Sequence, residues 1–103
     1  MTNIMKEKLI EMLTLHCKNG HEFNNRDIWV SAWCSYDAGY DPNIRIHDSM
    51  EEAVQRIYDI LIESYIDELD WVCDKLSEDC SIEEFTEKVL EMTYDKGFYY
   101  NFC

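Results

Sequence analysis

Basic residues are scarce in this sequence. Nine Lys and Arg stand against 22 Asp and Glu among 103 residues, which gives a formal net charge of −13. A surface of that sign repels nucleic acid and anionic membranes, whereas it attracts basic protein surfaces. The sequence therefore argues against direct binding of DNA, RNA or a membrane, and it favours a basic protein as the partner.

Glycine and proline are also few, at three and one residues, and there is no internal repeat, low-complexity tract or linker. No apolar run approaches the ~20 residues of a membrane-spanning helix, and the first residues lack a signal-peptide pattern. The five cysteines are an odd number without a secretory signal, which indicates reduced thiols. We expect one acidic α+β domain over residues 1–103, located in the cytoplasm.

Motifs for catalysis are missing as well. There is no Gly-rich phosphate loop, nucleophile elbow or paired-His motif, and a general acid needs a desolvated carboxyl group. A zinc site could be assembled from His16, Cys17 and His21 with Cys34 or His47, but two pairs of closely spaced ligands are not present. We therefore expect no enzymatic activity, no cofactor and no metal.

The first half of the chain predicts a helix followed by a β-hairpin. Apolar positions at helical spacing precede Asn19-Gly20, a typical helix end; they are Ile4, Leu9, Met12, Leu13 and His16 or Cys17. Residues 20–26 are polar and predict a loop. Residues 27–36 and 44–47 predict two strands joined by a loop of about six residues. The positions of Trp29, Trp33 and Tyr36 suggest a bulge near Ala32.

The second half predicts two helices and an aromatic tail. Ser49 with Glu52, and Ser81 with Glu84, have the spacing of capping boxes. The first helix extends from Met50 to about Asp79, but its apolar face rotates by roughly a quarter turn along the way. A kink near residues 65–68 would account for that rotation. The second helix covers Ile82 to about Tyr94, and residues 98–103 form a short strand or a packed tail.

The acidic residues are concentrated in this second half. Fifteen of them follow Met50, against four basic residues, for a formal charge of −11. Six occur at steps of 4, 4, 3, 4 and 4, and like charges at that spacing repel by roughly 0.2–0.5 kcal/mol per pair. Folding does not require such a series, which no basic residue interrupts, so we predict that it and the acidic face of the last helix bind the partner. The predicted binding residues are Asp59, Glu63, Asp67, Asp70, Asp74, Glu78, Glu84, Glu87, Glu91 and Asp95.

The hairpin segment Ile28–Gly39 resembles the opening of ArdA-type antirestriction proteins. Its apolar–aromatic–apolar–small start is followed by Tyr36-Asp37-Ala38-Gly39, where the family has Tyr-Asn-x-Gly, so that Asp37 replaces Asn. Ser81–Phe85 is similar to a helix start in those proteins. The resemblance covers about a fifth of the chain. It implies an acidic DNA mimic, encoded by a mobile element, that occupies the DNA groove of a restriction–modification complex.

Charge and resemblance together predict a phage or mobile-element inhibitor of a host defence enzyme, either a restriction–modification complex or a CRISPR effector. Its carboxylates would replace phosphates against Lys and Arg side chains. Two alternatives remain open: an immunity protein that neutralises a basic nuclease toxin, and a structural or adaptor domain whose acidic surface is merely solvated. A homodimer through the aromatic hairpin or tail is compatible with each of them.

Overall fold

Three helices and a four-stranded antiparallel sheet make up the computed structural model, which describes residues 1–18 and 20–103. Along the chain the elements are α1 (Asn3–His16), β1 (His21–Phe23), β2 (Arg26–Ser35), β3 (Asn43–His47), α2 (Met50–Asp74), α3 (Ile82–Asp95) and β4 (Phe98–Phe102). The predicted α+β class and its order of elements are confirmed. The C-terminal aromatic segment is a strand of the sheet.

The strand β2 is central and pairs with all three others. β3 follows one edge of β2 from Trp29↔His47 to Trp33↔Asn43, and β4 follows the other edge up to Ser35↔Phe98. The register is unbroken on both edges, so the predicted bulge near Ala32 is wrong. On a regular strand Trp29 and Trp33 point to the same side, whereas Tyr36 lies beyond the end of β2.

The segment predicted as a polar loop contains a strand, which corrects the expectation for residues 20–26. His21–Phe23 forms β1 and pairs with the first residues of β2 through a two-residue turn. Asn24 and Asn25 occupy that turn with φ of 52° and 65°. Asn tolerates this left-handed conformation, which two-residue hairpin turns require. The turn therefore forms although β1 is short and exposed.

Both predicted caps of the second half are present. The Ser49 hydroxyl accepts a hydrogen bond from the Glu52 backbone N–H at 3.2 Å, and the Ser81 hydroxyl accepts one from Glu84 at 3.1 Å. The predicted kink in α2 is confirmed at Tyr65, whose φ of −131° and ψ of 25° are not helical. α2 ends at Asp74, which is earlier than the expected Asp79.

The core lies between the helices and one face of the sheet. Leu9, Met12 and Leu13 of α1 are fully buried, as predicted, but Ile4 is 46% exposed and Met5 takes its place in the core. α1 ends at His16, and the buried Cys17 caps it. The predicted end signal at Asn19 lies outside the described residues. From α3, Phe85, Val89 and Met92 are buried.

Alternation along the strands gives the sheet two different faces. Trp29, Trp33, Phe98 and other residues of the inner face pack against the core. The side chains of the outer face, which we call the open sheet face, do not belong to the core cluster of the described residues. Paired residues of antiparallel strands share a face, so the open sheet face comprises His21, Phe23, Arg26, Ile28, Val30, Ala32, Cys34, Ile44, Ile46, Tyr99 and Asn101.

A polar cluster connects α2 to the inner face of the sheet. Arg56 donates hydrogen bonds to the Ser31 carbonyl oxygen at 3.1 Å, to its hydroxyl at 2.9 Å and to the Asn43 side chain. Ser31 Oγ also lies 2.7 Å from His47 Nε2. Ser31 is fully buried, so these contacts satisfy a polar group that would otherwise be unpaired in the interior. Arg56 is thereby directed toward the sheet and away from the acidic residues of α2.

Candidate functional site

A groove of about 770 Å³ runs between α3 and the part of α2 that follows the Tyr65 kink. Its floor is apolar and its rim is charged. We call it the α2–α3 groove; its lining residues are Asp67, Glu68, Trp71, Val72, Lys75, Leu76, Glu84, Lys88, Glu91, Met92, Asp95 and Lys96.

The helical repeat explains why the groove has this composition. In α3, Phe85, Val89 and Met92 face the core, so Glu84, Glu91 and Asp95 project from neighbouring positions around the helix. In α2, Leu69 and Val72 are buried, and the next positions around the helix place Glu68 and Trp71 at the groove. Packing of the two apolar stripes therefore brings two rows of carboxylates to opposite rims.

The structure divides the ten predicted binding residues into groups. Asp67, Glu84, Glu91 and Asp95 line the groove. Asp59 and Glu63 precede the kink, and Asp59 accepts a hydrogen bond from Gln55 at 2.8 Å. Outside the groove lining lie Asp70, Asp74, Glu78 and Glu87. The six acids of the predicted series therefore do not form one continuous stripe.

Asp70 has a structural contact that the sequence did not reveal. Its carboxylate accepts a hydrogen bond from the N-terminal amino group of Met1, with which it forms an ion pair. Asp74 lies one turn further along the same side of α2. Since its charge is already compensated within the chain, Asp70 is a weaker candidate for partner binding than the groove acids. Glu68, which was not predicted, belongs to the groove and is half-buried.

Lysine side chains also line the groove. The spacing of the acidic residues along the sequence did not predict them. Lys75, Lys88 and Lys96 are three of the four basic residues after Met50, and all three contribute to its walls. The Lys88 ammonium lies 3.8 Å from the Glu91 carboxylate, an exposed ion pair of small energetic value. Five carboxylates and three ammonium groups therefore share the groove, for a formal local charge of −2.

The exposed ring of Trp71 forms a cation–π contact within the groove. The Lys75 ammonium lies 3.6 Å from the centre of that ring, and 61% of the Trp71 side-chain surface remains exposed. Such contacts contribute about 0.5–1 kcal/mol at exposed sites. Val72, Leu76 and Met92 supply apolar surface nearby, against which the aliphatic stem of a Lys or Arg can pack. The groove thus combines carboxylates, an aromatic ring and apolar surface, which are three features that bind a basic side chain.

Comparison of the chain with protein-family models, with curated proteins and with solved structures gives no match. The resemblance of residues 28–39 to ArdA-type proteins therefore stays a prediction.

A cluster of exposed tyrosines lies at the end of the sheet. The ring centroids of Tyr36 and Tyr40 are 6.0 Å apart, those of Tyr40 and Tyr99 are 6.1 Å apart, and those of Tyr94 and Tyr99 are 5.5 Å apart. Each of these four rings is more than 40% exposed. Tyr94 immediately precedes Asp95 of the groove, so the cluster adjoins it in sequence. Tyrosine combines apolar area with a hydroxyl group, which makes it frequent at protein interfaces.

The pKa of the Tyr65 phenol is affected by charges from the β2–β3 loop and from the groove. Burial raises that pKa above its usual value, and the carboxylates of Asp37 and Glu68 raise it further. Asp37 belongs to the β2–β3 loop and Glu68 to the groove. Both charges therefore act on the residue at which α2 is kinked.

The candidate zinc ligands do not come together. Among residues 1–18 and 20–103, no group of three or more His, Cys, Asp or Glu side chains has an arrangement that could hold a metal ion. His16 instead stacks on Tyr100, with Nδ1 at 2.6 Å from the phenol oxygen. Burial raises the pKa of the Cys17 and Cys73 thiols, which disfavours their thiolate forms.

The described residues contain no helix that is long and apolar enough to cross a membrane.

Proposed function

We propose that this chain is a phage or mobile-element inhibitor of a host nucleic-acid-targeting defence enzyme. Its acidic helices bind a basic surface of that enzyme and occlude the site where DNA or RNA would lie. The observation that supports this proposal best is the segregation of charge: the predicted carboxylates project from α2, α3 and the turn between them, and few of them are compensated within the chain. The ArdA-type resemblance of the hairpin agrees with this function.

Ion pairing within the chain leaves most of these charges available. In the part of the chain that the structure describes, two of the ten predicted residues have an ion-pair partner, namely Asp70 with the N-terminus and Glu91 with Lys88. Arg56, which could have compensated others, is held by Ser31 and Asn43. The acids outside these pairs remain free to attract a basic partner and to accelerate its association.

The carboxylate density supports partial imitation of nucleic acid. Along α3 the average spacing of four acidic residues is ~5.5 Å, because each residue adds 1.5 Å of rise. These residues are Glu84, Glu87, Glu91 and Asp95. Duplex DNA carries one charge per ~1.7 Å of axis. The acids of α2 across the groove add to the row on α3, although the three lysines reduce the net charge there. The row on α3 is therefore about a third as dense as the charge of duplex DNA, so its carboxylates can replace individual phosphates but do not reproduce a whole duplex.

The groove suggests how a basic side chain is held. A Lys or Arg of the enzyme places its aliphatic stem on the half-buried Leu76 and its charge between carboxylates of the two rims. An Arg can also stack on Trp71 in place of Lys75, because a guanidinium binds an aromatic face and a carboxylate at the same time. A phosphate offers no apolar floor, so the contact with the inhibitor includes burial that a phosphate contact does not provide.

Affinity capture tests this proposal. The chain is immobilised and exposed, at physiological salt, to lysates of bacteria that carry one restriction–modification system or one CRISPR effector. The proposal predicts that the defence enzyme is retained and that added duplex DNA, or the effector's guide RNA, releases it. Retention that nucleic acid does not reverse would contradict occlusion, and recovery of a lone nuclease toxin would instead support an immunity protein.

A further inference from the structure

Four tyrosine rings lie in a row where the β2–β3 loop meets the turn between α3 and β4. Successive ring centroids are 5.5–6.1 Å apart, and 41% to 69% of each residue's surface is exposed. We call these residues the tyrosine cluster; they are Tyr36, Tyr40, Tyr99 and Tyr94. We propose that the cluster and the carboxylates of Asp37 and Asp41 bind arginine side chains of the basic partner. The assignment rests on the proposed function and gives that partner a second contact surface beside the α2–α3 groove.

Tyr40 has a strained backbone conformation. Its φ of 61° is costly for an aromatic residue because the Cβ crowds the backbone, whereas Gly and Asn adopt that angle more readily. The conformation closes a turn in which the Tyr40 backbone N–H donates to the Ser35 carbonyl oxygen at 2.8 Å, a bond that Gly or Asn could make equally well. The loop thus holds a ring that is 48% exposed at a position where a smaller residue would cost less. Strain of this kind is concentrated at sites that contact ligands.

Charge complementarity selects arginine as the occupant. Asp37 directly follows Tyr36 and Asp41 directly follows Tyr40; both acids are exposed, and no Lys or Arg occurs between residues 27 and 44. Neither acid has an ion-pair partner among the residues that the structure describes. A guanidinium stacks on an aromatic face while it donates to a carboxylate, whereas an ammonium is a compact and strongly hydrated charge. Exposed rings beside unpaired carboxylates therefore favour arginine over lysine.

The tyrosine cluster adjoins the α2–α3 groove on two sides. In α3, Tyr94 directly precedes Asp95 of the groove. On the other side, burial raises the pKa of the Tyr65 phenol and the carboxylates of Asp37 and Glu68 raise it further, so both carboxylates lie near that phenol. Glu68 lines the groove. A single basic segment of the partner can therefore contact the groove and the cluster at the same time.

Backbone contacts hold the tyrosine cluster in place before any partner binds. The Tyr36 backbone N–H donates to the Gly97 carbonyl oxygen at 2.8 Å, which joins the β2–β3 loop to the turn after α3. Gly97 permits this approach because a Cβ there would lie 2.8 Å from Tyr36 Cβ. Beyond that turn, the Tyr94 and Tyr99 rings stack at an interplanar angle of 27°. Since the rings are already positioned, binding costs little additional ordering of side chains.

The variant Y36S/Y40N tests the assignment, with nona-arginine and nona-lysine as probes in isothermal titration calorimetry at low salt. Asn at position 40 removes the ring but tolerates the left-handed conformation. The affinity for nona-arginine should fall about 2- to 5-fold per ring removed. The affinity for nona-lysine should fall less, because ammonium groups are more strongly hydrated and stack on rings less often. The control F23S removes a ring that is 60% exposed on β1, and it should leave both affinities unchanged.

Wild-type affinity of a folded Y36S/Y40N variant for nona-arginine overturns the assignment, and so does an equal loss of affinity for the two peptides. If the variant does not fold, heteronuclear NMR of the wild type decides: nona-arginine should shift the amide signals of residues 36–41, and unshifted signals overturn the assignment. Failure of the proposed function is detected separately, because it appears as a chain that captures no defence enzyme whatever the peptides do.

Discussion

The ammonium group of Lys75 lies 3.6 Å from the centre of the Trp71 ring, at the mouth of the α2–α3 groove. A residue of the chain thus occupies the position that a basic side chain of a partner would take. Trp71 is 61% exposed. The face of an exposed tryptophan ring attracts cations, and the carboxylates beside it add to this attraction. Lys75 therefore competes with the partner that we propose for this groove.

Replacement of Lys75 by Gln should strengthen binding of a basic partner. The variant frees the Trp71 face and removes a like charge, so the affinity for a nona-arginine peptide should rise about 2- to 5-fold, the equivalent of ~0.5–1 kcal/mol. Isothermal titration calorimetry at low salt measures this. The control K18Q changes the net charge equally at the exposed end of α1. Equal effects of the two variants would show that only net charge matters.

Gly97 and Gly39 offer a matched pair of backbone tests. Both have a left-handed φ, of 69° and 66°, but a Cβ on Gly97 would lie 2.8 Å from Tyr36 Cβ, whereas none of the described atoms lies within 4 Å of a Cβ on Gly39. G39A should reduce the free energy of unfolding by about 1–2 kcal/mol, the cost of the left-handed conformation. G97A should reduce it further, because Tyr36 must also move. Urea unfolding measures both, and equal losses would contradict the close approach.

Stability should fall as the pH drops, and His47 contributes to this fall. Burial lowers the pKa of its imidazole below the usual 6.5, and the nearby Arg56 charge lowers it further. The unfolded chain then binds more protons than the folded chain as pH falls below about 6.5, so protonation favours unfolding in that range. The folded form is favoured while His47 stays neutral and bonded to Ser31 Oγ.

The variant H47Q tests that contribution. Gln keeps a hydrogen-bond acceptor for the Ser31 hydroxyl but does not titrate, so the loss of unfolding free energy between about pH 7.5 and pH 5.5 should be smaller than in the wild type. The control H21Q leaves the Ser31–His47 contact intact and removes a histidine outside it. Urea unfolding at several pH values gives the comparison, and parallel curves for wild type and H47Q would refute the assignment.

Local signals in the sequence predicted much of this fold. Ser49 and Ser81 cap their helices by short-range hydrogen bonds, and the rotation of the apolar face placed the kink close to Tyr65. β1 was missed because three exposed residues carry no apolar alternation, although Asn24-Asn25 is a sufficient turn signal. Ile4 was assigned to the core instead of Met5 because both fit a helical repeat. The packing of α1 against its neighbours decides between them.

The site was predictable only in part. The sequence located the acidic residues, but the groove depends on α3 packing beside the second part of α2, which is a tertiary contact. Trp71 and Glu68 enter the site for that reason. Lys88 and Lys96 reach the groove from α3, which spacing along α2 does not show, whereas Lys75 reaches it because it follows Trp71 by one helical turn. The contact of Asp70 with the N-terminus likewise joins residues 69 positions apart.

The central claim is that carboxylates of the α2–α3 groove, and not net charge alone, inhibit a defence enzyme. Two variants of equal charge test it. One neutralises four of the five groove acids, as D67N/E84Q/E91Q/D95N, and the other neutralises four exposed acids of α1 and the β1–β2 hairpin, as E7Q/E11Q/E22Q/D27N. Asp70 is left unchanged in both because it binds the N-terminus.

The measurement is the plating efficiency of an unmodified phage on bacteria that carry the captured defence system and express the wild type or one variant. Each purified variant is first checked for folding by circular dichroism. The wild type and the α1–β1 variant should restore plating, whereas the folded groove variant should not. Equal protection by both variants would contradict the account, because the position of the carboxylates would then have no effect on inhibition.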